Sequence, residues 1–367
     1  MKIAVNTRFL LKGKLEGIGM YTHEIFKRVA QLLPEHQFYF LFDRKWDEAF
    51  ITSENIIPIK VNPQARHPFL WYWWFEHSIP KILKQNNIDL FISPDGFGSL
   101  STEVPQLITI HDLGFEHYPQ HVPYLVNKFY THYSPLYCRK AATILAVSEF
   151  TKQDIIKQYG IRPSKIEVIY NGVDIDTPKL EKVEPKRERP YFIFVGAVHP
   201  RKNVLGLLKA FERFKAKYPG EQQLIIIGRK AWMNSALEEF YSAMEFKAEV
   251  VWIEKIERKD LLQLLKHAIA LVYPSLFEGF GIPIIESMGL GVPVISSSVS
   301  ALPEIAGNSA LMIDPNNPDD ICDAMQTILT DNVLRNQLVE NGKKRAAQFS
   351  WEVSAKKIVA LINKHIQ

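Results

Sequence analysis

Glu278 and Glu286 bracket the run Gly279-Phe280-Gly281-Ile282-Pro283, and the apolar stretch Ile269–Tyr273 comes just before them. A short apolar run of this kind suits a buried parallel strand, so the pattern predicts strand, glycine-containing loop, then helix. Gly279 and Gly281 are expected to take positive φ and to let the backbone approach a ligand. Pro283, which has no N–H to leave unpaired, suits the start of the helix. Such a start presents free N–H groups and a partial positive charge, which attract a phosphate or the polarised oxygens of a sugar phosphate. Glu286 falls about one turn into that helix. On its own it could simply favour the positive helix end. Together with Glu278 it could instead flank one anion site, each carboxylate accepting hydrogen bonds from its own set of hydroxyls.

Other residues with chemistry to offer stand at predicted strand ends, where ligands of open α/β sheets collect. Arg201 and Lys202 follow the strand Tyr191–Val195 after a short glycine-containing turn. A guanidinium beside an ammonium can clamp a diphosphate, although a basic pair alone is usually solvated surface. His111 follows the strand Leu107–Ile110 and precedes Asp112; a lone histidine is more often structural, and Asp112 suits holding local backbone or orienting the imidazole. Gly17 and Gly19, in Glu16-Gly-Ile-Gly, lie between the first strand and the first helix and permit close approach to phosphate or acceptor. Asp174-Ile-Asp176 fits an Asp-x-Asp metal-nucleotide pattern, but after Asn171-Gly-Val it reads as a turn with acidic caps. The segment from Pro68 to His77 concentrates aromatics. Trp71, Trp73 and Trp74 could stack on sugar rings or dip into a membrane interface, with Lys81 and Lys84 nearby for anionic lipid, or they could pack a core.

These residues need a scaffold of strands and helices in alternation. Ile3–Val5, a helix from about 18 to 33, Phe38–Leu41, Leu90–Ile92 and Leu107–Ile110 give one series. Tyr191–Val195, Leu224–Ile227, Val250–Trp252, Ile269–Tyr273 and Pro293–Ile295 give a second, as doubly wound parallel sheets require. A charged, proline-punctuated run from Asp176 to Pro190 reads as the linker between them. With 367 residues, 47% of them hydrophobic, the chain can build two cores. Its formal charge of +4 is spread among acids, which argues against nucleic acid as a partner. Cys138 and Cys322 show no metal-ligand or Cys-x-x-Cys spacing, and no leader or apolar membrane-spanning run is visible, so a reduced, cytoplasmic setting is expected.

The Glu278–Glu286 segment resembles the Glu-x7-Glu signature of the family-4 retaining glycosyltransferases, which have the GT-B fold. Gly291-Val-Pro-Val-Ile-Ser, Ala301-Leu-Pro-Glu-Ile-Ala-Gly and Ala310-Leu-Met-Ile-Asp-Pro are similar to that family downstream. So are Ala146-Val-Ser-Glu-Phe-Thr-Lys, Val168-Ile-Tyr-Asn-Gly-Val-Asp and Val195-Gly-Ala-Val-His-Pro-Arg-Lys-Asn upstream. The resemblance implies two Rossmann-like domains facing across a cleft, an acceptor-side domain at 1–180 and a donor domain at 190–350. A final helix at about 351–367 would cross back to the first domain; from its sequence alone it is merely amphipathic.

For the site, the resemblance implies that Glu278 contacts hydroxyls of the donor sugar and Glu286 the ribose. Arg201 and Lys202 would neutralise the departing diphosphate in place of a metal, and His111 would contact the transferred sugar. Gly17, Gly19, Gly279, Phe280, Gly281 and Ile282 would line the donor. No cofactor or metal is expected beyond a GDP- or UDP-linked hexose, with GDP-mannose preferred, and the acceptor would be a glycan or a lipid-linked glycan. The glycine that relatives carry near Trp252-Ile-Glu-Lys-Ile-Glu is missing, which leaves the base open. An epimerase or hydrolase on the same fold and a non-enzymatic two-domain sugar-binding protein are the rival readings.

Overall fold

A computed structural model describes residues 1–13, 15–174, 189–230 and 235–365. The chain divides into two compact units, one formed by 1–172 with 350–367 and the other by 173–349.

The first unit is built on a seven-stranded parallel sheet. Its strands are β1 (Lys2–Asn6), β2 (Gln37–Phe42), β3 (Ile56–Lys60), β4 (Leu90–Ser93), β5 (Gln106–Ile110), β6 (Thr143–Ala146) and β7 (Ile166–Val168), in the order β3-β2-β1-β4-β5-β6-β7. Alternate residues feed two cores, because successive side chains point to opposite faces of a strand. Ala4, Phe91, Ile108 and Ile144 go to one face, under Trp74, Phe75, Leu83 and Tyr137. Ile3, Val5, Leu90, Ile92 and Leu107 go to the other. There the helix Gly17–Leu32 brings Tyr21, Ile25, Phe26 and Val29. The helix Trp351–Lys364 adds Trp351, Ala355, Ile358 and Ile362, at helical spacing, to the same core. Each such fully buried large side chain contributes about 1.5–3 kcal/mol. That helix begins sharply because Ser350 accepts from Val353 N, and Ser354 Oγ donates to Tyr170 O at 2.5 Å.

The second unit holds a six-stranded parallel sheet. Its strands are β8 (Tyr191–Val195), β9 (Gln223–Ile227), β10 (Val250–Ile253), β11 (Leu271–Tyr273), β12 (Val294–Ser297) and β13 (Leu311–Ile313), in the order β10-β9-β8-β11-β12-β13. Phe192, Ile193, Phe194 and Leu224 to Ile227 are buried, and Leu207, Leu208, Phe211 and Phe214 of the helix Val204–Lys217 are buried with them. In both sheets the winding reverses direction, between β1 and β4 in the first unit and between β8 and β11 in the second. Such switch points open a crevice at the carboxyl ends of the strands.

Several expectations need correction. Of the three tryptophans offered as ligand or membrane contacts, Trp74 is fully buried with its indole N–H on Val61 O at 3.1 Å. Trp71 packs on Phe97, Phe129 and Tyr130, and its N–H reaches Ala65 O at 2.9 Å. Only Trp73 is well exposed, because the helix Pro68–Trp73 widens into a π-helical turn at Trp74–Ser78 that turns its neighbours inward. Gly17 and Gly19 lie inside the first turn of the helix Gly17–Leu32, not in a loop ahead of it. A Cβ on Gly19 would stand 2.6 Å from Phe9 O, so the close approach there is between two backbone segments of the protein. Gly281 takes φ +100°, whereas Gly279 does not have a positive φ. Asp176 and nearly all of the charged run up to Pro190 lie outside the described residues. Among the described residues no helix is long and apolar enough to cross a membrane. Cys138 and Cys322 are both free and buried, and burial pushes the Cys138 thiol up to about 12.

Candidate functional site

In the second unit, β8 ends in a glycine turn and a single 3-10 turn, Pro200–Lys202. Asn203 stops that turn in the left-handed region, with φ 55°, and its Oδ1 accepts from Gly206 N at 3.2 Å. This caps the helix Val204–Lys217 and sets Lys202 at its positive end. The next strand across the switch point, β11, ends in Tyr273, and the loop after it carries Glu278. The two loops are tied together by Leu276 N, which donates to Arg201 O at 2.7 Å, and by Arg201 Nη1, 3.5 Å from Phe277 O.

The result is a compact charged cluster. Lys202 Nζ donates to Tyr273 Oη at 2.8 Å and forms an ion pair with Glu278 Oε1. Tyr273 Oη in turn donates to Glu278 Oε1 at 3.1 Å. Burial, with the Glu278 carboxylate next to it, holds the Tyr273 phenol well above its ordinary value, so it stays a donor at neutral pH. Glu278 is itself buried. Its backbone is fixed by Ser300, a non-glycine at φ 57°, whose Oγ accepts from Glu278 N at 3.1 Å and donates to Val299 O at 2.7 Å. A buried carboxylate persists only when paired and hydrogen-bonded, and this cluster supplies both.

The loop then turns at Gly281 into the helix Ile282–Gly289, which has no side-chain N-cap. A Cβ at Gly281 would sit 2.9 Å from Leu302 Cδ2, so neither its φ nor its surroundings suit another residue. Ile282 is the first helical residue, and Phe280 is buried with its ring edge-on to Phe349, centroids 5.6 Å apart. Glu286 is buried and paired with Arg258, the first residue of the helix Arg258–Lys266. Glu278 and Glu286 therefore hold different cations. Sequence reasoning found Lys202 and Glu278 but assigned nothing to Tyr273, Ser300 or Arg258. Tyr273 ends a strand, as any core tyrosine could, and Arg258 is too far along the chain to be paired by spacing.

In the first unit, His111 follows β5, and its Nε2 lies 2.8 Å from Pro94 O. A carbonyl only accepts, so Nε2 carries the proton and Nδ1 keeps the lone pair. Burial lowers the imidazole pKa, which favours this neutral ring, and Tyr21 packs edge-on against it at 5.0 Å. Asp112 Oδ1 accepts from Gly114 N at 2.8 Å, starting the short helix Gly114–His117. Asp174 lies in no regular element. No group of three or more metal-ligating side chains is found among the described residues.

Two family descriptions together match nearly the whole chain: Glycosyltransferase Family 4 over residues 15–177 and Glycosyl transferases group 1 over 176–345. The chain is 29% identical over 292 residues to the O-antigen chain mannosyltransferase RfbU of Salmonella typhimurium, covering 78% of this chain and 79% of that one. It is 30% identical over 221 residues to the O-antigen chain mannosyltransferase B of Escherichia coli, a match that spans 58% of each protein. Among solved structures, the sucrose-phosphate synthase of Thermosynechococcus elongatus superimposes with a TM-score of 0.77 at 18% identity, over 99% of this chain and 98% of that one. At that identity the superposition speaks for the fold.

Proposed function

The chain belongs to the family-4 glycosyltransferases of the GT-B fold, and on that premise we propose that it moves a hexose, with retention and without a metal, from a nucleotide-diphosphate sugar to a glycan or lipid-linked acceptor. One observation carries the reading. Lys202, Tyr273 and Glu278 meet at the strand ends of the second unit, beside an uncapped helix start, where a pyrophosphate and a sugar hydroxyl would find opposite charges. The ammonium of Lys202 and the guanidinium of Arg201 take the diphosphate as it leaves. Stabilisation of developing charge by fixed groups is commonly the largest catalytic contribution. Glu278 then turns to hydroxyls of the donor sugar, and Glu286 to the ribose. Gly279, Phe280, Gly281 and Ile282 supply the backbone wall.

Neither glutamate is assigned as a nucleophile of the kind retaining hydrolases use. A leaving phosphate oxygen takes the proton of the acceptor hydroxyl on the same face of the sugar. His111, neutral with a free Nδ1 lone pair, is assigned to the transferred sugar. GDP-mannose is the preferred donor because two relatives bear the name O-antigen chain mannosyltransferase, which also favours a role in cell-surface polysaccharide synthesis. A peripheral membrane contact through Phe69, Trp73 and Tyr124 is part of the proposal, since these large side chains are exposed on the first unit.

The test is incubation with GDP-mannose and UDP-glucose, with and without bacterial lipid extract, in a chelator. An α-linked product from the α-configured donor is expected. Free sugar alone, an epimerised donor, or binding without turnover would point to the hydrolase, epimerase and binding-protein readings respectively.

A further inference from the structure

The first unit carries a second polar cluster that the donor site does not use. At its switch point, Arg8 follows β1 and Asp95 follows β4. Asp95 is saturated: it accepts from Arg8 Nε at 2.6 Å, Asn6 Nδ2 at 2.8 Å, Ser93 Oγ at 3.0 Å and Phe97 N at 3.2 Å. Arg8 is only 5% exposed, yet Nε is the sole guanidinium nitrogen with a hydrogen-bond partner among the described residues. Its plane is fixed by rings, with Phe97 at 4.5 Å, Phe9 at 4.8 Å, Phe75 at 5.3 Å and Trp71 at 5.9 Å from the guanidinium carbon. Tyr130 shares two of these neighbours: it stacks parallel on Trp71 at 5.7 Å and meets Phe97 edge-on at 5.7 Å. No hydrogen bond to its hydroxyl is found among the described residues.

The outer nitrogens of this guanidinium have no protein partner among the described residues and are not sealed from solvent, so they remain open to a ligand while the rest of the side chain is held in place. The charges nearby decide which ligand. Asp95 neutralises Arg8, and Asp112 adds a second carboxylate; burial above all raises the Tyr130 phenol, with Asp95 and Asp112 adding to it against the opposing charge of Arg8. An anion would meet a net negative surround; a hydroxyl would meet two donors and a phenol that can give or take.

We propose that Arg8 and Tyr130 form a recognition subsite for an uncharged, hydroxyl-rich sugar ring of the acceptor, and that this subsite selects against phosphorylated or carboxylated acceptors. The inference rests on the glycosyltransferase reading for the word acceptor, but the subsite stands or falls on binding alone.

The full chain is titrated by NMR with methyl α-D-mannopyranoside and, separately, with mannose 6-phosphate, while GDP is titrated by calorimetry in parallel. Arg8→Lys keeps the charge beside Asp95 and loses the outer nitrogens; Tyr130→Phe loses only the hydroxyl. Each variant is expected to weaken the glycoside by about three- to tenfold, the size of one or two neutral hydrogen bonds, with GDP affinity unchanged. The phosphorylated sugar is expected to bind no more tightly than the glycoside. Unchanged glycoside affinity in both variants, tighter binding of mannose 6-phosphate, or no glycoside binding to the wild type would overturn the subsite. Loss of GDP binding by the wild type with the glycoside result intact would instead overturn the donor assignment.

Discussion

Replacing Glu278 with Gln keeps the shape of the side chain and removes the charge that Lys202 holds in the donor-free protein. Two opposite effects follow from one geometry. Lys202 loses its ion pair and keeps neutral acceptors such as Tyr273 Oη, at 2.8 Å, so a free nucleoside diphosphate no longer competes with a carboxylate for the ammonium. Transfer, on the other hand, loses the carboxylate proposed to grip the sugar. A hydrogen bond to a charged group is worth about 1.5–3 kcal/mol. At about 1.4 kcal/mol for each factor of ten, Glu278→Gln should lower kcat/KM by roughly ten- to a hundredfold. Calorimetry should show GDP or UDP bound as tightly as by the wild type, or more tightly. A variant that loses diphosphate affinity in step with transfer would refute the reasoning, because Glu278 would then be part of the phosphate site instead of its competitor.

The remaining predictions concern separate parts of the molecule. Arg258→Ala leaves the buried Glu286 without its cation, and should lower the melting temperature and weaken nucleotide binding by roughly tenfold, checked by calorimetry and a thermal melt. Gly281→Ala forces a side chain into φ +100° and against Leu302, and should cost about 1–3 kcal/mol in denaturant unfolding. Because the His111 pKa is lowered by burial, its contribution to stability is complete above the ordinary value of 6.5 and is lost as pH falls through the depressed one. His111→Asn should therefore flatten the acid side of the stability curve below pH 6.5, as followed by urea midpoints. Flotation with anionic liposomes should retain the wild type and release a Phe69→Ser, Trp73→Ser double variant, since those two side chains are among the exposed aromatics of the first unit.

Much of the fold could be read from the chain because both faces of each sheet are covered. Strands buried on two sides are continuous apolar runs, such as Phe192-Ile-Phe in β8 and Leu224-Ile-Ile-Ile in β9, and these announce themselves. The strands that escaped notice are short or mixed: β3 contains Pro58, β6 has four residues and opens on Thr143, β7 is Ile166-Glu-Val, and β13 has three residues. Lys202 and Glu278 could be singled out because each follows a legible strand, and strand ends are where polar groups converge. What a one-dimensional reading lacks is direction. It could not tell that Trp74 points inward and Trp73 outward, which depends on a single π-helical turn. Nor could it see that the hydroxyl of a strand-end tyrosine would bridge Lys202 and Glu278, or that Arg258 would reach Glu286 from another helix. Arg8 and Asp95, both beside recognisable strands, were legible in position but not in partnership.

The central claim is that the ammonium of Lys202 receives the pyrophosphate. Calorimetric titration of GDP into the wild type and into Lys202→Met, with chelator present in both, tests it most directly. The account predicts binding to the wild type and a loss of roughly tenfold or more in the variant, the worth of one charge-assisted contact. Equal affinities in the two proteins would contradict it.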